Sequence, residues 1–408
     1  MRLLIYSANF APEPTGIGKY SGEMAAWLAA QGHEVRVICA PPYYPAWKLD
    51  PAYGWPPYRR ERWQGVEVFR APLWVPQTPG GLKRLLHLVS FALSSLPVLL
   101  AQWRWRPQVV MVVAPALVCA PGGALLARMA GAAAWLHIQD FEVDVAFQMG
   151  LLKGARLRAW VSGMERWLYR RFDVVSSISR KMIERLREKQ VPATAVRSLP
   201  NWVDVAHIQP LKTPSAYRAE LGLPADAFVL LSSGTLGSKQ GLNLIPEVAR
   251  LLAAHRDIVF VVCGDGVMKP ELERAAQKLP QLKLLPLQPF ERLGELLGLA
   301  DVHLLTQSVD AEDLVLPSKL TGMLASGRPV IATARADTEI ASVVATCGRV
   351  VPPGDARALA AAILDLRADA ELRGDLGAAA RRFAEERLAM PAVLRQLEQD
   401  LASLTGSA

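Results

Sequence analysis

The sequence predicts an α/β protein made of two doubly wound halves, one after the other. The chain has 408 residues, more than one hydrophobic core usually serves. Apolar, strand-like runs alternate with helical patterns from one end to the other. A proline-rich stretch without periodicity, residues 199–215, divides these runs and is predicted to be a linker.

The predicted strands form two sets, each typical of a Rossmann-like domain. The first set is 3–6, 35–39, 66–70, 109–113, 134–137 and 174–177. The second set is 228–232, 259–263, 282–285, 302–305, 330–333 and 348–351. Because helices are predicted between many of these strands, both sheets are expected to be parallel. We place the two domains at residues 1–204 and 205–390.

The overall composition is that of a globular protein, with 51% hydrophobic and 21% charged residues. The four cysteines are far apart and lack metal-ligand spacing, so we expect buried thiols rather than a metal site. The apolar run at residues 3–6 is too short for the core of a secretory signal. We therefore expect a cytoplasmic protein.

The net charge of +8 suggests an acidic partner, and two basic, apolar segments favour a membrane surface. Residues 82–106 form an apolar stretch with basic residues at both ends, and Trp103 and Trp105 lie at its second end. Residues 153–172 carry six basic side chains and one acid, Glu165, with tryptophans between them. A core helix followed by a solvated basic helix explains both segments equally well. No nucleic-acid-reading module is recognised.

The first strand-to-helix turn, NFAPEPTGIGKY, has features of a ligand-binding loop. Gly16 and Gly18 allow a close approach of the backbone, and the helix is predicted to begin near Lys19. The third glycine of a dinucleotide fingerprint would fall at Ser21, which argues against NAD. An ordinary tight turn remains the alternative.

The segment 312–334, EDLVLPSKLTGMLASGRPVIATA, predicts an anion site. Pro317 and Ser318 stand where a helix is expected to start, and Lys319 lies just inside it. The free amides of a helix start and a lysine together suit a diphosphate. Gly327 is expected to end this helix before the next strand. An ordinary crossover with a capping serine is the alternative.

Taken together, the motifs resemble those of GT-B glycosyltransferases of the retaining family 4. The matching segments are TGIGKY, HEVRV, LPNWVD, SSGTLGSKQGL, VVCGDGVMKPELE, PSKLTGMLASGRPVIAT, DTEIASVV and CGRVVPPGDARALAAAI. The segments APPYYPAW (40–47) and LHIQDFEVD (136–144) make the chain similar to the transferases of colanic acid and related exopolysaccharides, to which a fucosyltransferase role is usually assigned.

The resemblance implies two Rossmann-like domains that face across a cleft, with the donor held by the second domain and the acceptor by the first. It also implies that the last helix, about 391–408, packs back on the first domain. His137 takes the place of the family's cleft histidine, and Asp140 follows it in an acidic loop. A structural histidine is the alternative for His137. The other implied donor-site residues are Gly234, Thr235, Gly264, Asp265, Gly266 and Glu339.

The phosphate loop departs from the family pattern. Where the family carries an arginine and a lysine, this chain has Thr235 and Gln240. The positive charge is therefore expected from Lys239, from Lys319 or from both.

The family's pair of glutamates is also absent. The two positions hold Leu314 and Gly322. Glu312 or Asp313 is a shifted candidate for the first glutamate, and the ribose contact of the second is unassigned.

The resemblance implies retaining transfer of a sugar from GDP-fucose, or another GDP- or UDP-sugar, to a lipid-linked saccharide. The expected partners are the sugar nucleotide, a polyprenyl-diphosphate-linked acceptor and the inner-membrane surface. No cofactor beside the donor, no metal ion and no nucleic acid are expected. A non-catalytic membrane scaffold and a Rossmann-type sugar-nucleotide oxidoreductase or epimerase are the competing functions.

Overall fold

A computed structural model of the protein describes residues 1–54, 57–77, 80–148, 154–309 and 317–406. The chain forms two compact units, Met1–Pro200 with Val393–Ala408, and Asn201–Ala392. Each unit contains a mainly parallel sheet with helices, which confirms the predicted α/β class. The candidates Glu312 and Asp313, position 314 and Lys153 lie outside the described residues.

The first unit is built on eight strands in the order β3-β4-β2-β1-β5-β6-β7-β8. The strands are β1 (Arg2–Ser7), β2 (Glu34–Cys39), β3 (Arg59–Trp63), β4 (Val66–Arg70), β5 (Val109–Ala114), β6 (Ala133–Ile138), β7 (Val174–Ser177) and β8 (Val196–Ser198). All pairings are parallel except that of β3 with β4. The strand order reverses between β1 and β5, where a doubly wound sheet opens a crevice for ligands.

Helices pack on this first sheet. They are α1 (Gly16–Ala30), α2 (Gly81–Ala101), α3 (Ala120–Ala130), α4 (Glu142–Gln148), α5 (Ala155–Tyr169) and α6 (Arg180–Glu188). The chain's last helix (Met390–Thr405) contributes its residues from Val393 onward to this unit. Helix α1 begins at Gly16, three residues before the predicted start at Lys19. Thr15, at the cap position, is extended.

The sequence analysis missed strands β3 and β8. Strand β3 has the sequence RRERW and is half exposed at the edge of the sheet, so it lacks the apolar pattern used for the search. Charged side chains of this kind protect a sheet edge from pairing with other chains. Strand β8 has three residues and is too short to show any period.

A buried ionic cluster joins three helices of the first unit. The Lys189 ammonium lies 3.0 Å from an Asp144 oxygen and 2.7 Å from a Glu165 oxygen. Arg185 donates to the other Asp144 oxygen at 3.0 Å, and the Tyr169 hydroxyl donates to Glu165 at 2.9 Å. Burial raises the pKa of Asp144, but the bonds from Arg185 and Lys189 outweigh it and the net shift is downward. Asp144 is therefore held as a carboxylate.

The second unit has six parallel strands in the order β11-β10-β9-β12-β13-β14. They are β9 (Phe228–Ser233), β10 (Ile258–Cys263), β11 (Leu282–Leu285), β12 (Val302–Leu305), β13 (Val330–Thr333) and β14 (Gly348–Val351). Alternate residues of β9 pack into different cores on the two faces of the sheet, Val229 and Leu231 on one and Phe228 and Leu230 on the other. Such a sheet is buried on both faces, as expected for a doubly wound fold.

The helices of the second unit complete these two cores. They are α7 (Tyr217–Glu220), α8 (Leu244–Leu251), α9 (Lys269–Ala276), α10 (Leu293–Gly298), α11 (Ser318–Ala325), α12 (Glu339–Val344), α13 (Ala356–Ala368) and α14 (Ala370–Phe383), and α15 is the last helix, Met390–Thr405. Helix α11 starts where the Pro317–Ser318 signal predicted it, and Gly327 follows its end with a φ of 69°.

Two loops interlock where strands β9 and β10 end. The Gly234 amide donates to the Cys263 carbonyl at 2.9 Å, and the Leu236 amide donates to the Asp265 carbonyl at 2.8 Å. Gly264 has a φ of 154°, and a side chain there would collide with the carbonyl oxygen of Gly234. Glycine at 264 is thus required for the two backbones to meet.

Removing the shared cation of the buried cluster should destabilise the first unit. In Lys189→Met two buried carboxylates lose their shared cation, and Glu165 keeps only the Tyr169 hydroxyl as a partner, which costs about 3–5 kcal/mol of unfolding free energy. Lys181→Met is the control: Lys181 is a half-buried lysine at the start of α6 that pairs with Glu184 outside the cluster, and its loss should change little. Urea denaturation followed by circular dichroism compares the two variants, and equal midpoints would contradict the role of the cluster.

A methyl group at Gly264 should separate the interlocked loops. We expect Gly264→Ala to lower the stability of the second unit by roughly 1–3 kcal/mol, as overpacking does. Gly374→Ala is the matched control, since Gly374 lies inside α14 with open space where its Cβ would stand, and should gain roughly 0.5–1 kcal/mol. Thermal unfolding measures both, and a Gly264→Ala protein as stable as the wild type would be incompatible with this packing.

Candidate functional site

The predicted donor residues collect at the carboxyl edge of the second sheet, where the strand order reverses between β9 and β12. The loop after β9 runs from Gly234 to Gly241 and is fastened to the end of β12. The Thr306 hydroxyl donates to the Gln240 carbonyl at 2.6 Å, and the Ser308 amide donates to the Lys239 carbonyl at 3.0 Å. This is the edge at which doubly wound sheets bind ligands.

Lys319 enters this edge from the first turn of α11. A methyl group built on Gly234 would lie 3.6 Å from Lys319 Cδ, so the lysine stem packs along the glycine loop. Burial lowers the pKa of Lys319 to about 8. In the described part of the chain its ammonium has no hydrogen bond or ion pair. The structure thus brings together Gly234, Lys319 and the amide end of α11, three of the predicted elements of a phosphate site.

The other predicted phosphate-loop residues are at the surface. Thr235, Lys239 and Ser318 are exposed. The cap position of α11 is occupied by Pro317, whose carbonyl accepts from the Leu320 amide at 2.9 Å, and Ser318 is the first helical residue. Ser318 is therefore not the capping serine of the alternative interpretation, and its amide belongs to the free helix end.

The turn after β10 presents Asp265 to solvent. Its carboxylate accepts from the Gly266 amide at 2.9 Å and lies 3.6 Å from the Lys269 ammonium. Glu339 is the first residue of α12 and is nearly buried, next to Thr338, whose hydroxyl accepts from the Ala341 amide at 3.1 Å. Their assigned contacts with base, ribose or sugar stay predictions.

In the first unit, the glycine loop is organised by a residue that the sequence analysis missed. Glu13 is 4% exposed, and its carboxylate accepts from the Tyr43 amide at 3.2 Å, the Tyr44 amide at 3.0 Å and the Asn9 side chain at 2.9 Å. Burial raises the pKa of Glu13, and these hydrogen bonds oppose the shift. A Cβ at Gly18 would lie 2.5 Å from the Glu13 carboxylate, so the predicted glycine makes room for the acid.

A sequence signal for Glu13 did exist. It is an acid between two prolines in the apolar loop APEPTG, where a solvated side chain would be unusual. The other predicted glycine, Gly16, is the first residue of α1. A Cβ atom placed on it would lie 3.7 Å from the Tyr44 ring. The two loops that follow β1 and β2 therefore form one structure.

His137 is the last residue but one of strand β6 and is 3% exposed. Its Nδ1 lies 2.9 Å from the Ser176 hydroxyl, and its Nε2 lies 3.1 Å from the side-chain amide nitrogen of Gln139. Because that amide can only donate, Nε2 accepts and Nδ1 carries the proton. Burial lowers the pKa of His137 to about 3, so the ring is neutral. This environment is that of a structural histidine, and a direct contact with the donor sugar stays a prediction.

The acidic loop after His137 is mostly turned inward. The Glu142 carboxylate accepts from the Ala116 and Leu117 amides at 2.9 and 2.7 Å, and burial raises its pKa. Asp144 belongs to the buried ionic cluster. Asp140 is half-buried.

A groove of about 1070 Å³ lies elsewhere on the second unit. It is lined by Ala227, Asp257 and Asp301, which directly precede strands β9, β10 and β12. Its arginines Arg218 and Arg367 are already paired with Asp301 and Asp257 at 3.0 and 2.6 Å. Because it faces the amino ends of the strands, this groove is separate from the predicted donor residues.

Two helical segments of the first unit bear on the predicted membrane surface. Lys83–Trp105, with a mean hydropathy of 1.7, is long and apolar enough to cross a membrane by length and composition, and a third of an 18-residue apolar stretch within it is buried. Trp105 is packed, since its indole donates to Glu34 at 2.7 Å and the Arg36 guanidinium lies 4.4 Å from its ring. Helix α5 instead exposes Trp160 and Trp167, by 67% and 55%.

Comparison with known proteins bears on both units. The family described as "Glycosyl transferase 4-like domain" matches residues 15–202, and "Glycosyl transferases group 1" matches residues 215–383. WcaI of Escherichia coli (strain K12), a glycosyl transferase assigned to colanic acid biosynthesis, is 43% identical over 98% of this chain and 100% of its own. The D-inositol 3-phosphate glycosyltransferase of Streptomyces avermitilis is 25% identical over 52% of this chain and 48% of its own.

Solved structures show the same fold at low sequence identity. Sucrose-phosphate synthase from Thermosynechococcus elongatus aligns over 100% of both chains with a TM-score of 0.76 and 19% identity. HepE from Anabaena, in complex with UDP and glucose, aligns over 99% of this chain and 100% of its own with a TM-score of 0.70 and 16% identity.

The comparisons favour a transferase over the scaffold and the oxidoreductase or epimerase that the sequence left open. Two glycosyltransferase domain families match in the order that the motifs indicated. A relative with 43% identity along the whole chain has the same assignment. The chain therefore belongs to the GT-B glycosyltransferases of family 4, and it is a glycosyltransferase.

Proposed function

We propose that the second unit binds a nucleoside-diphosphate sugar and that the enzyme transfers the sugar, with retention, to a lipid-linked saccharide in exopolysaccharide synthesis. The observation that carries this proposal most directly is Lys319. Its stem lies against the Gly234 loop, at the amide end of α11 and at the edge where the strand order reverses. A half-buried lysine in this position is suited to a diphosphate.

The mechanism follows from where charge develops. As the anomeric bond breaks toward an oxocarbenium-like state, negative charge builds on the leaving diphosphate. Lys319, the amides of α11 and the Gly234 loop would stabilise it, and preorganised groups of this kind contribute several kcal/mol. The acceptor hydroxyl then attacks from the same face and gives its proton to the departing phosphate oxygen. No protein nucleophile takes part in this scheme.

The donor is proposed to be GDP-fucose or another GDP- or UDP-sugar. The colanic acid assignment of WcaI supports an exopolysaccharide product, and the UDP complex of HepE supports a nucleotide-sugar donor. We propose transfer without a cofactor and without a metal ion, because Lys319 supplies positive charge that a divalent cation would otherwise bring to the diphosphate.

The proposed roles of His137 and Asp140 differ. His137 is neutral and bonded through both nitrogens, so we assign it a positioning role for the loop that follows β6. Asp140 is half-buried in that loop, and we propose that it orients a hydroxyl of the donor sugar. A carboxylate is a strong acceptor for sugar hydroxyl groups.

We propose that the enzyme lies on the cytoplasmic face of the inner membrane through helix α5. Its exposed face carries Leu157, Trp160, Met164 and Trp167, with spacings of three and four residues. Basic side chains flank this face, and the Arg171 guanidinium lies 4.6 Å from the Trp167 ring. Tryptophan beside arginine suits an interface with anionic lipid.

Binding of nucleoside diphosphates tests the donor site. Calorimetry with GDP, UDP, dTDP, ADP and NAD, without added metal, should find tight binding of one diphosphate. Lys319→Ala should weaken it roughly tenfold to a hundredfold, the effect of losing one charged hydrogen bond. Lys278→Ala removes an exposed lysine of the same unit and should bind as the wild type does. Binding of NAD alone, or of none of these ligands, would refute the proposal.

The pH dependence of the same binding should identify Lys319. Its pKa of about 8 means that the ammonium is charged below pH 8 and loses its proton above it. Affinity for the diphosphate should therefore fall as pH rises through 8, by at most about tenfold per pH unit. Lys319→Arg keeps its charge and should remove the dependence. An unchanged pH profile in Lys319→Arg would show that another group titrates.

Vesicle sedimentation distinguishes the two candidate membrane segments. Trp160→Ala with Trp167→Ala should abolish binding to vesicles that contain phosphatidylglycerol, while diphosphate binding in solution is kept. Trp103→Ala tests the segment 82–106, and Trp74→Ala controls for loss of an exposed tryptophan outside both segments. If only Trp103→Ala lost vesicle binding, the membrane contact would be made by the segment 82–106 and not by α5. Binding to neutral vesicles alone would contradict the role of the basic residues.

A further inference from the structure

One buried histidine of the first unit has an unused nitrogen. His87 lies in α2 and is 1% exposed. Its Nδ1 lies 2.6 Å from the Trp74 carbonyl oxygen, and since a carbonyl only accepts, Nδ1 carries the proton. The other nitrogen, Nε2, is then an acceptor, and it is buried without a hydrogen-bond partner among the residues that the structure describes. His137, in contrast, uses both of its nitrogens.

Aromatic rings from the segment 40–47 pack against the His87 ring. The Tyr43 ring centroid is 4.7 Å from that of His87, and the Trp47 centroid is 5.4 Å from it. Tyr43 and Trp47 are themselves 5.7 Å apart in an edge-to-face arrangement. Trp47 has a φ of 51°, in the left-handed region that costs a bulky residue free energy. Strain of this kind is often found at ligand sites.

The rings stand at the carboxyl edge of the first sheet, beside the predicted glycine loop. Segment 40–47 follows strand β2, and Glu13 holds the Tyr43 and Tyr44 amides. The Tyr44 ring is 37% exposed and packs against Gly16. This is the edge at which a doubly wound sheet holds its ligand, and it belongs to the unit without the proposed diphosphate site.

We propose that Tyr43, Trp47 and His87 form a subsite for one sugar ring of the acceptor, with His87 Nε2 accepting a hydrogen bond from a sugar hydroxyl. The inference rests on the proposed saccharide acceptor. A sugar ring offers both hydroxyl donors and an apolar face of C–H groups, which match the nitrogen and the rings. Because Nε2 is buried, a sugar hydroxyl reaches it only when a neighbouring ring moves, and we assign that movement to Trp47, which is half-buried whereas Tyr43 is buried.

The protonation state of His87 fits this role. Burial lowers its pKa, the bond to the Trp74 carbonyl opposes this, and the nearby Arg84 charge lowers it further. The ring is therefore neutral at physiological pH, and Nε2 keeps its lone pair. A protonated ring would be a donor at both nitrogens and would select a different ligand group.

Two substitutions separate recognition from a structural role. In His87→Asn the amide can replace Nδ1 and keep the bond to Trp74, but nothing replaces Nε2. In His87→Gln the longer amide can replace Nε2, and the bond to Trp74 is lost. Ser90→Ala is the local control, since the Ser90 hydroxyl accepts from the Trp74 amide at 2.9 Å without contact to Nε2.

The probes are methyl glycosides of glucose, galactose, mannose and fucose, each measured by saturation-transfer NMR with the bound nucleoside diphosphate present. We expect at least one glycoside to bind the wild type, about five- to tenfold weaker binding to His87→Asn, and binding within about twofold to His87→Gln and Ser90→Ala. Thermal unfolding should show His87→Gln as the less stable of the two histidine variants.

The outcomes are distinguishable from those of the donor site. If the protein binds its diphosphate but no glycoside, or if His87→Asn binds as the wild type does, this inference is overturned and His87 is structural. Stronger loss in His87→Gln than in His87→Asn would overturn it as well. Failure of the wild type to bind any nucleoside diphosphate would instead count against the proposed function.

Discussion

The proposed donor site of this enzyme depends on a contact between two backbones. The loop after β9 reaches the carboxyl edge of the second sheet only because the turn after β10 has no side chain at Gly264. The amides of Gly234 and Leu236 then bond to the neighbouring turn rather than to solvent. This fixes the loop against which the stem of Lys319 packs, so the position of the cation follows from backbone geometry rather than from a side-chain partner.

The partial burial of Lys319 in that position has an energetic consequence. Desolvation lowers the pKa of Lys319 to about 8, which means that the protein holds the charge at a cost when the site is empty. A diphosphate would remove that cost, and the attraction is stronger where water is excluded. One such lysine beside a helix end can therefore replace part of the arginine and lysine pair that Thr235 and Gln240 do not supply. The exposed Lys239 is screened by solvent and would contribute less to the proposed site.

The sequence was sufficient for most of the fold and for part of the site. Strands that are buried on both faces are continuous apolar runs, and this pattern identifies them in the sequence. The start of α11 was indicated by Pro317 and Ser318. Charged β3 lacks such a pattern. Glu13 and His87 were missed because their importance lies in what surrounds them, backbone amides in one case and aromatic rings in the other. Contacts between residues distant in sequence cannot be read from local spacing.

The buried acids of the first unit also affect the charge of its surface. Among residues 154–172 the acid is Glu165, and it is bonded to Lys189 and Tyr169 inside the unit. Asp144 is likewise paired internally. Because these carboxylates are paired with cations in the interior, their negative charge does not balance the positive charge of the arginines on the outer face of α5. Trp160 and Trp167 are exposed on that face. The same pairing that stabilises the unit therefore leaves a basic, aromatic face, which is the combination that anionic lipid attracts.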